Sequence, residues 1–114
     1  MNYDFIMDLD DDEVCVPMKD MPRGYFITNK ARVYAQGPGL GKKGRWLKPC
    51  KNSHPSGYRQ LLFMRKKQYN IHRLVGKHFL DWFNDSLFVC HRDEHLPIPD
   101  VNYASNLYLG TDYH

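Results

Sequence analysis

The stretch Leu87-Phe88-Val89-Cys90-His91-Arg92-Asp93 is an apolar run that ends on a histidine and opens into a polar loop. Its aromatic and β-branched residues predict a strand. Residues 93–105 carry Asp93, Glu94, Pro97, Pro99 and Asp100 and are expected to be irregular. Asn106-Leu107-Tyr108-Leu109 is expected to return as a second short strand, and Gly110-Thr111-Asp112 reads as a helix start with Thr111 as cap. A histidine at the lip of such a hairpin, with a helix as its floor, can reach a phosphate lying across the strands. His91 is therefore the candidate general base, because an imidazole of pKa about 6.5 takes a proton from water at neutral pH.

One helix is expected upstream, over residues 72–83. Leu74, Val75, His78, Phe79 and Trp82 recur on one apolar face, while Arg73, Lys77 and Asp81 lie off it. Asn70 or Ile71 sits at its cap and Asn84-Asp85-Ser86 ends it. Further back come strand-like runs. Tyr25 to Thr28 turns at Asn29-Lys30 into a return strand over Ala31 to Gln36. The glycine-rich stretch from Gly37 to Gly44 is a basic loop that lacks the GK[ST] ending of a phosphate-binding loop. Trp46 to Lys48 is a short strand, and Gly57 to Arg65 is a longer one that turns at Lys66-Lys67 into Gln68 to Ile71.

With 114 residues, 42% of them hydrophobic, the chain can build one modest core and not two. No apolar run approaches the ~18 residues of a membrane span, and Met1-Asn2-Tyr3-Asp4 lacks the features of a secretory signal. Three widely spaced cysteines, Cys15, Cys50 and Cys90, argue against a disulfide framework. A cytoplasmic protein is expected. Charge is segregated: residues 1–13 hold six carboxylates and no Lys or Arg, whereas residues 19–77 hold fifteen Lys or Arg against Asp20 alone. Such a block is the footprint of a polyanion partner, because neutralising phosphates releases condensed counterions. The acidic leader is a candidate contact for a protein partner, or a cover for the basic segment.

Three stretches together resemble the phage HNH endonucleases related to homing nucleases. Gly24-Tyr25-Phe26-Ile27-Thr28-Asn29-Lys30-Ala31-Arg32-Val33 is similar to the small β module that precedes those nucleases, with its Tyr-x-(Val/Ile)-(Ser/Thr)-Asn-x-Gly-Arg-Val pattern. Ile71-His72-Arg73-Leu74-Val75 resembles the helix before the active site. Val89 to Asp93, Ser105-Asn106-Leu107 and Gly110-Thr111 resemble the nuclease hairpin and the start of its metal-binding helix. The resemblance covers about residues 14–114 and implies an α+β fold, an N-terminal antiparallel β module packed on a ββα-metal core. The expected division is an acidic leader over 1–20, the β module over 21–71 and the core over 72–114, short at its C-terminus.

The resemblance also implies roles. His91 matches the histidine that activates water, and Asn106 the asparagine that ties the loop to the hairpin and holds the histidine in place. Cys90 stands at a metal-ligand position, although a thiol suits Mg²⁺ poorly. The last metal-binding position would fall one residue beyond His114, which is the candidate substitute. The implied activity is metal-dependent hydrolysis of double-stranded DNA with Mg²⁺ or Mn²⁺, in a phage-infected bacterial host. The alternative is a DNA-binding or inhibitor protein on a degenerate scaffold. Lys42, Lys43, Arg45, Lys48, Lys51, Lys66, Lys67, Arg73 and Arg92 are the expected DNA contacts. His72 reads as a helix-end residue that fixes the fold, His78 as a satisfied core residue and His95 as solvated. Cys50 and His54 offer half a zinc site, but with no Cys-x₂-Cys in the chain structural Zn²⁺ is not expected.

Overall fold

Tyr25–Thr28 (β2) and Val33–Ala35 (β3) pair antiparallel, flanked by Cys15–Pro17 (β1) on β2 and Arg45–Trp46 (β4) on β3. The computed structural model describes residues 9–21, 24–36, 44–51, 60–64, 67–97 and 100–111, with only the backbone given for residues 51 and 60–64. Two smaller sheets follow. Cys50–Lys51 (β5), Gln60–Met64 (β6) and Lys67–Asn70 (β7) form an antiparallel three-stranded sheet, and Phe88–His91 (β8) pairs antiparallel with Leu107–Gly110 (β9). The helix Ile71–Phe79 (α1) lies between β7 and β8 in sequence and packs against β2, β6, β7, β8 and β9. The result is a small mixed α and β fold with antiparallel sheets.

The β2–β3 turn shows why its sequence pattern matters. Thr28 N–H donates to the Arg32 carbonyl at 2.9 Å, and the Thr28 hydroxyl accepts from the Lys30 and Arg32 amides. Ala31 sits between them with φ 61°, a conformation that favours glycine, so this alanine occupies a position whose backbone suits the glycine of the resembling pattern.

One buried cluster joins both halves of the chain. Met18, Ile27, Ala31 and Val33 meet Ile71, Val75, Val89 and Leu107, with Ile27, Ile71 and Val75 at 0% exposure. Each such aliphatic side chain contributes about 1.5–3 kcal/mol on burial. Cys15 and Tyr34 form a satellite with Trp46, whose ring meets Tyr34 edge-on at 5.1 Å. Burial pushes the Cys15 thiol up to about 11. His78 pins β1's exit to α1: its Nε2 accepts from the Lys19 amide at 2.8 Å while Nδ1 bonds the Leu74 carbonyl at 2.8 Å. Both nitrogens are satisfied in the neutral ring, and burial lowers its pKa.

The acidic stretch is part of this architecture. Glu13 lies under Arg32, which donates from Nε at 2.9 Å and from Nη2 at 2.6 Å, and the guanidinium stacks 3.9 Å from the Trp46 ring centre. Lys30 bonds Asp12 at 2.6 Å and Asp10 at 3.2 Å. Burial by itself would raise the Glu13 carboxyl, but hydrogen bonds from Arg32, Thr28 and the backbone hold it below its ordinary value.

Three expectations are corrected. The helix ends at Phe79, not Phe83. Leu80 is extended (φ −94°, ψ 132°) with its amide closing the last turn on the Gly76 carbonyl. Leaving the helix lets Leu80 and Phe83 both pack on the core, and Trp82, expected on the apolar face, is turned out at 91% exposure with φ 67°. The returning strand begins at Leu107, because Asn106 closes a 3-10 turn, Ala104–Asn106. Gly110, expected to open a helix, ends β9 opposite Phe88.

Gly76 lets α1 lie close on β8: a Cβ there would stand 2.7 and 3.0 Å from the two Val89 methyls. Gly76→Ala is expected to destabilise the fold, since overpacking of about 1–3 kcal/mol outweighs the roughly 1 kcal/mol gained in helix propensity. A thermal melt should show a lower Tm.

Glu13 gives a pH signature. Its folded pKa lies below the ordinary 4.5, so the unfolded chain binds more protons and the stabilisation is present above that value. It is lost as pH falls through the folded value. Glu13→Gln should cost about 1.5–3 kcal/mol at neutral pH, the worth of hydrogen bonds to a charged group. Urea unfolding between neutral pH and the acid range should then show a flatter pH dependence than in the parent protein.

Candidate active site

His91 is the last residue of β8 and stands opposite Leu107 in the register. Pairing is extended one step further, where the Arg92 amide donates to the Asn106 carbonyl at 2.7 Å. The loop that returns to β9 is then folded by two 3-10 turns, Asp100–Asn102 and Ala104–Asn106. Its backbone is held by Val101 N–H to the Pro97 carbonyl at 2.9 Å and by Ala104 N–H to the Asn29 carbonyl at 2.8 Å.

Asn106 braces this loop with its whole amide. Its Oδ1 accepts from the Asp93 amide at 3.0 Å, and its Nδ2 donates to the carbonyls of Asp93 at 3.0 Å and Val101 at 2.8 Å. A buried side chain that closes three backbone bonds leaves those groups orphaned when removed. The residue touches the turn after His91 and not the imidazole itself in these bonds.

Asn102 reaches the imidazole. His91 Nε2 lies 2.9 Å from Asn102 Oδ1, and Asn102 is fully buried. On another side stands His72, the second residue of α1, with its ring centre 4.9 Å from that of His91 and the planes inclined at 41°. His91 is half-buried in this setting. One of its ring nitrogens is thereby engaged by a buried amide.

No family model matches the chain, and no curated protein matches it. A solved structure does: that of the HNH homing endonuclease I-HmuI, a protein that binds and cleaves DNA. It aligns over 86% of this chain with a TM-score of 0.61 and 27% sequence identity. The fold is similar to that of an HNH endonuclease. This chain spans 52% of the I-HmuI chain, about half its length.

The other expected site residues are spread more widely. Cys90 is a buried free thiol at 8% exposure, and among the described residues no three His, Cys, Asp or Glu converge as a metal site. Arg45 and Lys48 are exposed at β4 and just after it, Lys67 is exposed on β7, and Arg92 is exposed with its guanidinium 5.5 Å from the Tyr108 ring centre. Arg73 is used internally: it donates to the carbonyls of Leu87 at 2.9 Å and Asp85 at 2.8 Å, fastening the α1–β8 connection. Lys42, Lys43, Lys66, His54 and His114 lie outside the described residues, as does the side chain of Lys51. His95 is exposed.

Sequence reasoning missed Asn102 and the pairing of His72 with His91. The only signal for Asn102 was a second asparagine in the loop closed by Asn106. His72 carried no signal beyond its place at a helix start.

Asn106→Ala should lower stability by at least about 2 kcal/mol, since it strands backbone groups at Asp93 and Val101. Hydrogen exchange should show the loss centred on residues 91–93 and 100–107.

Proposed function

We propose that this protein is an HNH-type endonuclease that hydrolyses phosphodiester bonds of double-stranded DNA, with His91 as general base. The observation that carries the reading is the His91 imidazole at the lip of the β8–β9 hairpin, engaged by Asn102 within a loop that Asn106 braces. The likeness to I-HmuI, a homing endonuclease that binds and cleaves DNA, supports it.

In this reading His91 takes a proton from water, and the resulting hydroxide attacks phosphorus in line with the departing 3′ oxygen. The P–O3′ bond breaks, the 3′ oxygen takes a proton from solvent, and a 5′ phosphate and a 3′ hydroxyl are left. General-base assistance of this kind supplies about 10²–10⁴ in rate. Exposed Arg45, Lys48, Lys67 and Arg92, together with Lys42, Lys43, Lys51 and Lys66, meet the DNA backbone and give affinity that falls with salt.

The described residues do not fit a divalent ion. No cluster of three donors forms among them, and the Cys90 thiol is a soft donor where Mg²⁺ prefers oxygen. An ion would take its donors from phosphate oxygens or from residues outside the described ones, such as His114. The second reading is a DNA-binding protein that keeps the scaffold without cutting.

Incubation with supercoiled plasmid in Mg²⁺ or Mn²⁺ should produce nicked or linear DNA. His91→Ala should slow this by about 10²–10⁴ while leaving DNA retention intact. Salt-sensitive binding with no cleavage would establish the second reading instead, and loss of binding altogether would exclude both.

A further inference from the structure

We infer that the acidic stretch at residues 10–13 is a built-in competitor for DNA: Asp10 and Asp12 hold Lys30, a further phosphate-binding residue, until a DNA backbone displaces them. The inference rests on the reading of the protein as one that binds DNA. It adds a residue to that binding and a restraint upon it.

Lys30 stands on the turn between β2 and β3, beside the loop of the candidate active site. Its Nζ lies 5.7 Å from the Tyr103 ring centre, and the neighbouring Asn29 carbonyl accepts from the Ala104 amide at 2.8 Å. A cation here adjoins the two 3-10 turns that lead back to β9. Lys30 is not offered to solvent, however. Its side chain is 19% exposed, and its ammonium bonds Asp12 at 2.6 Å and Asp10 at 3.2 Å. Those two carboxylates are themselves 79% and 63% exposed. The bond from Lys30 holds the Asp12 carboxyl below its ordinary value, so it is charged at neutral pH. What meets an approaching phosphate at this turn is negative charge.

The stretch is held by two kinds of contact. Glu13 is buried and takes two bonds from Arg32, while the Val14 amide donates to Asn29 Oδ1 at 2.9 Å. The Glu13 amide closes a turn on the Asp10 carbonyl at 3.0 Å, which sets Asp10 and Asp12 against Lys30. Asp11, between them, is exposed and makes no ion pair among the described residues. Exposed pairs such as those of Lys30 contribute little, so exchanging them for phosphate oxygens costs little. Anchor and cover are thus separate residues of one turn.

The effect on binding follows from counterions. A free lysine that meets a DNA phosphate releases a condensed cation, which is the source of salt-dependent affinity. A lysine already paired brings no such gain, because the carboxylates it leaves take up cations of their own. The stretch lowers affinity for any DNA whose other contacts fail to displace it.

The test compares neighbouring single-charge changes in the full chain. Asp12→Asn and Asp11→Asn remove the same charge one residue apart, but only the first loosens Lys30. Fluorescence anisotropy with a labelled double-stranded DNA is recorded from about 50 to 200 mM salt. Asp12→Asn should bind about 3–10-fold more tightly at the low end, with a log–log salt slope steeper by about 1. Asp11→Asn should stay within about twofold of the parent protein. Asp10→Asn, which removes the longer pair, should give a smaller gain than Asp12→Asn. Adding Lys30→Met to Asp12→Asn should abolish both the gain and the extra slope. Equal affinities in the Asp11 and Asp12 variants, or a gain that survives Lys30→Met, would overturn the inference and leave the DNA-binding reading standing. Absence of DNA binding in the parent and every variant would overturn both. Binding that emerges only in Asp12→Asn would support both.

Discussion

Everything in this fold leans on the burial of one short helix. Sheets of four, three and two strands, with no strand longer than five residues among the described residues, cannot each enclose a core of their own. α1, the one α-helix among the described residues, touches members of all three. Ile71 and Val75 project into a cluster to which the first sheet adds Ile27 and Val33 and the last adds Val89 and Leu107. Gly76 allows the helix to approach β8, and Arg73 fastens the chain segment that leads into β8. The position of His91 is thereby set by the packing of its neighbours, Val89 on its own strand and Leu107 opposite it.

A second layer of order is electrostatic and runs along the surface. The Glu13 carboxylate is buried and takes two hydrogen bonds from Arg32, whose guanidinium also lies against the Trp46 ring. Asp10 and Asp12 hold Lys30 through exposed pairs, which contribute little to stability. The Glu13 pair matters more, because its carboxylate is sheltered from water. The turn these acids hold also presents the Asn29 carbonyl to Ala104, in the loop that carries Asn102 and Asn106. Contacts therefore link the acidic stretch to the histidine without either touching the other.

Within the site the two asparagines divide the labour. Asn106 joins backbone to backbone across the mouth of the hairpin. Asn102 spends its oxygen on the ring. The neighbouring His72 ring adds a wall that a single strand-end histidine would lack.

Local pattern was enough for much of this. The pairing of β2 with β3 around Asn29 and Lys30 follows from β-branched and aromatic runs with a turn between them, and the histidine at the end of β8 stands out at the end of an apolar run, whereas Asn106 was picked out by the resemblance alone. These are features in which neighbours in sequence are neighbours in space. The extent of α1 was misjudged, because periodicity continues through Trp82 while the gain from packing Leu80 and Phe83 together ends the helix sooner. Asn102, the contact between His72 and His91, the inward commitment of Arg73 and the burial of Glu13 had no local signature. Each is a single polar residue whose role is fixed by what long-range packing brings against it. The sequence by itself determined which segments become strands and helix and which histidine stands at the hairpin's lip. Only the tertiary structure decided which amide meets that histidine, because hydrogen bonds between residues of an irregular loop depend on coordinates that no repeat in the chain encodes.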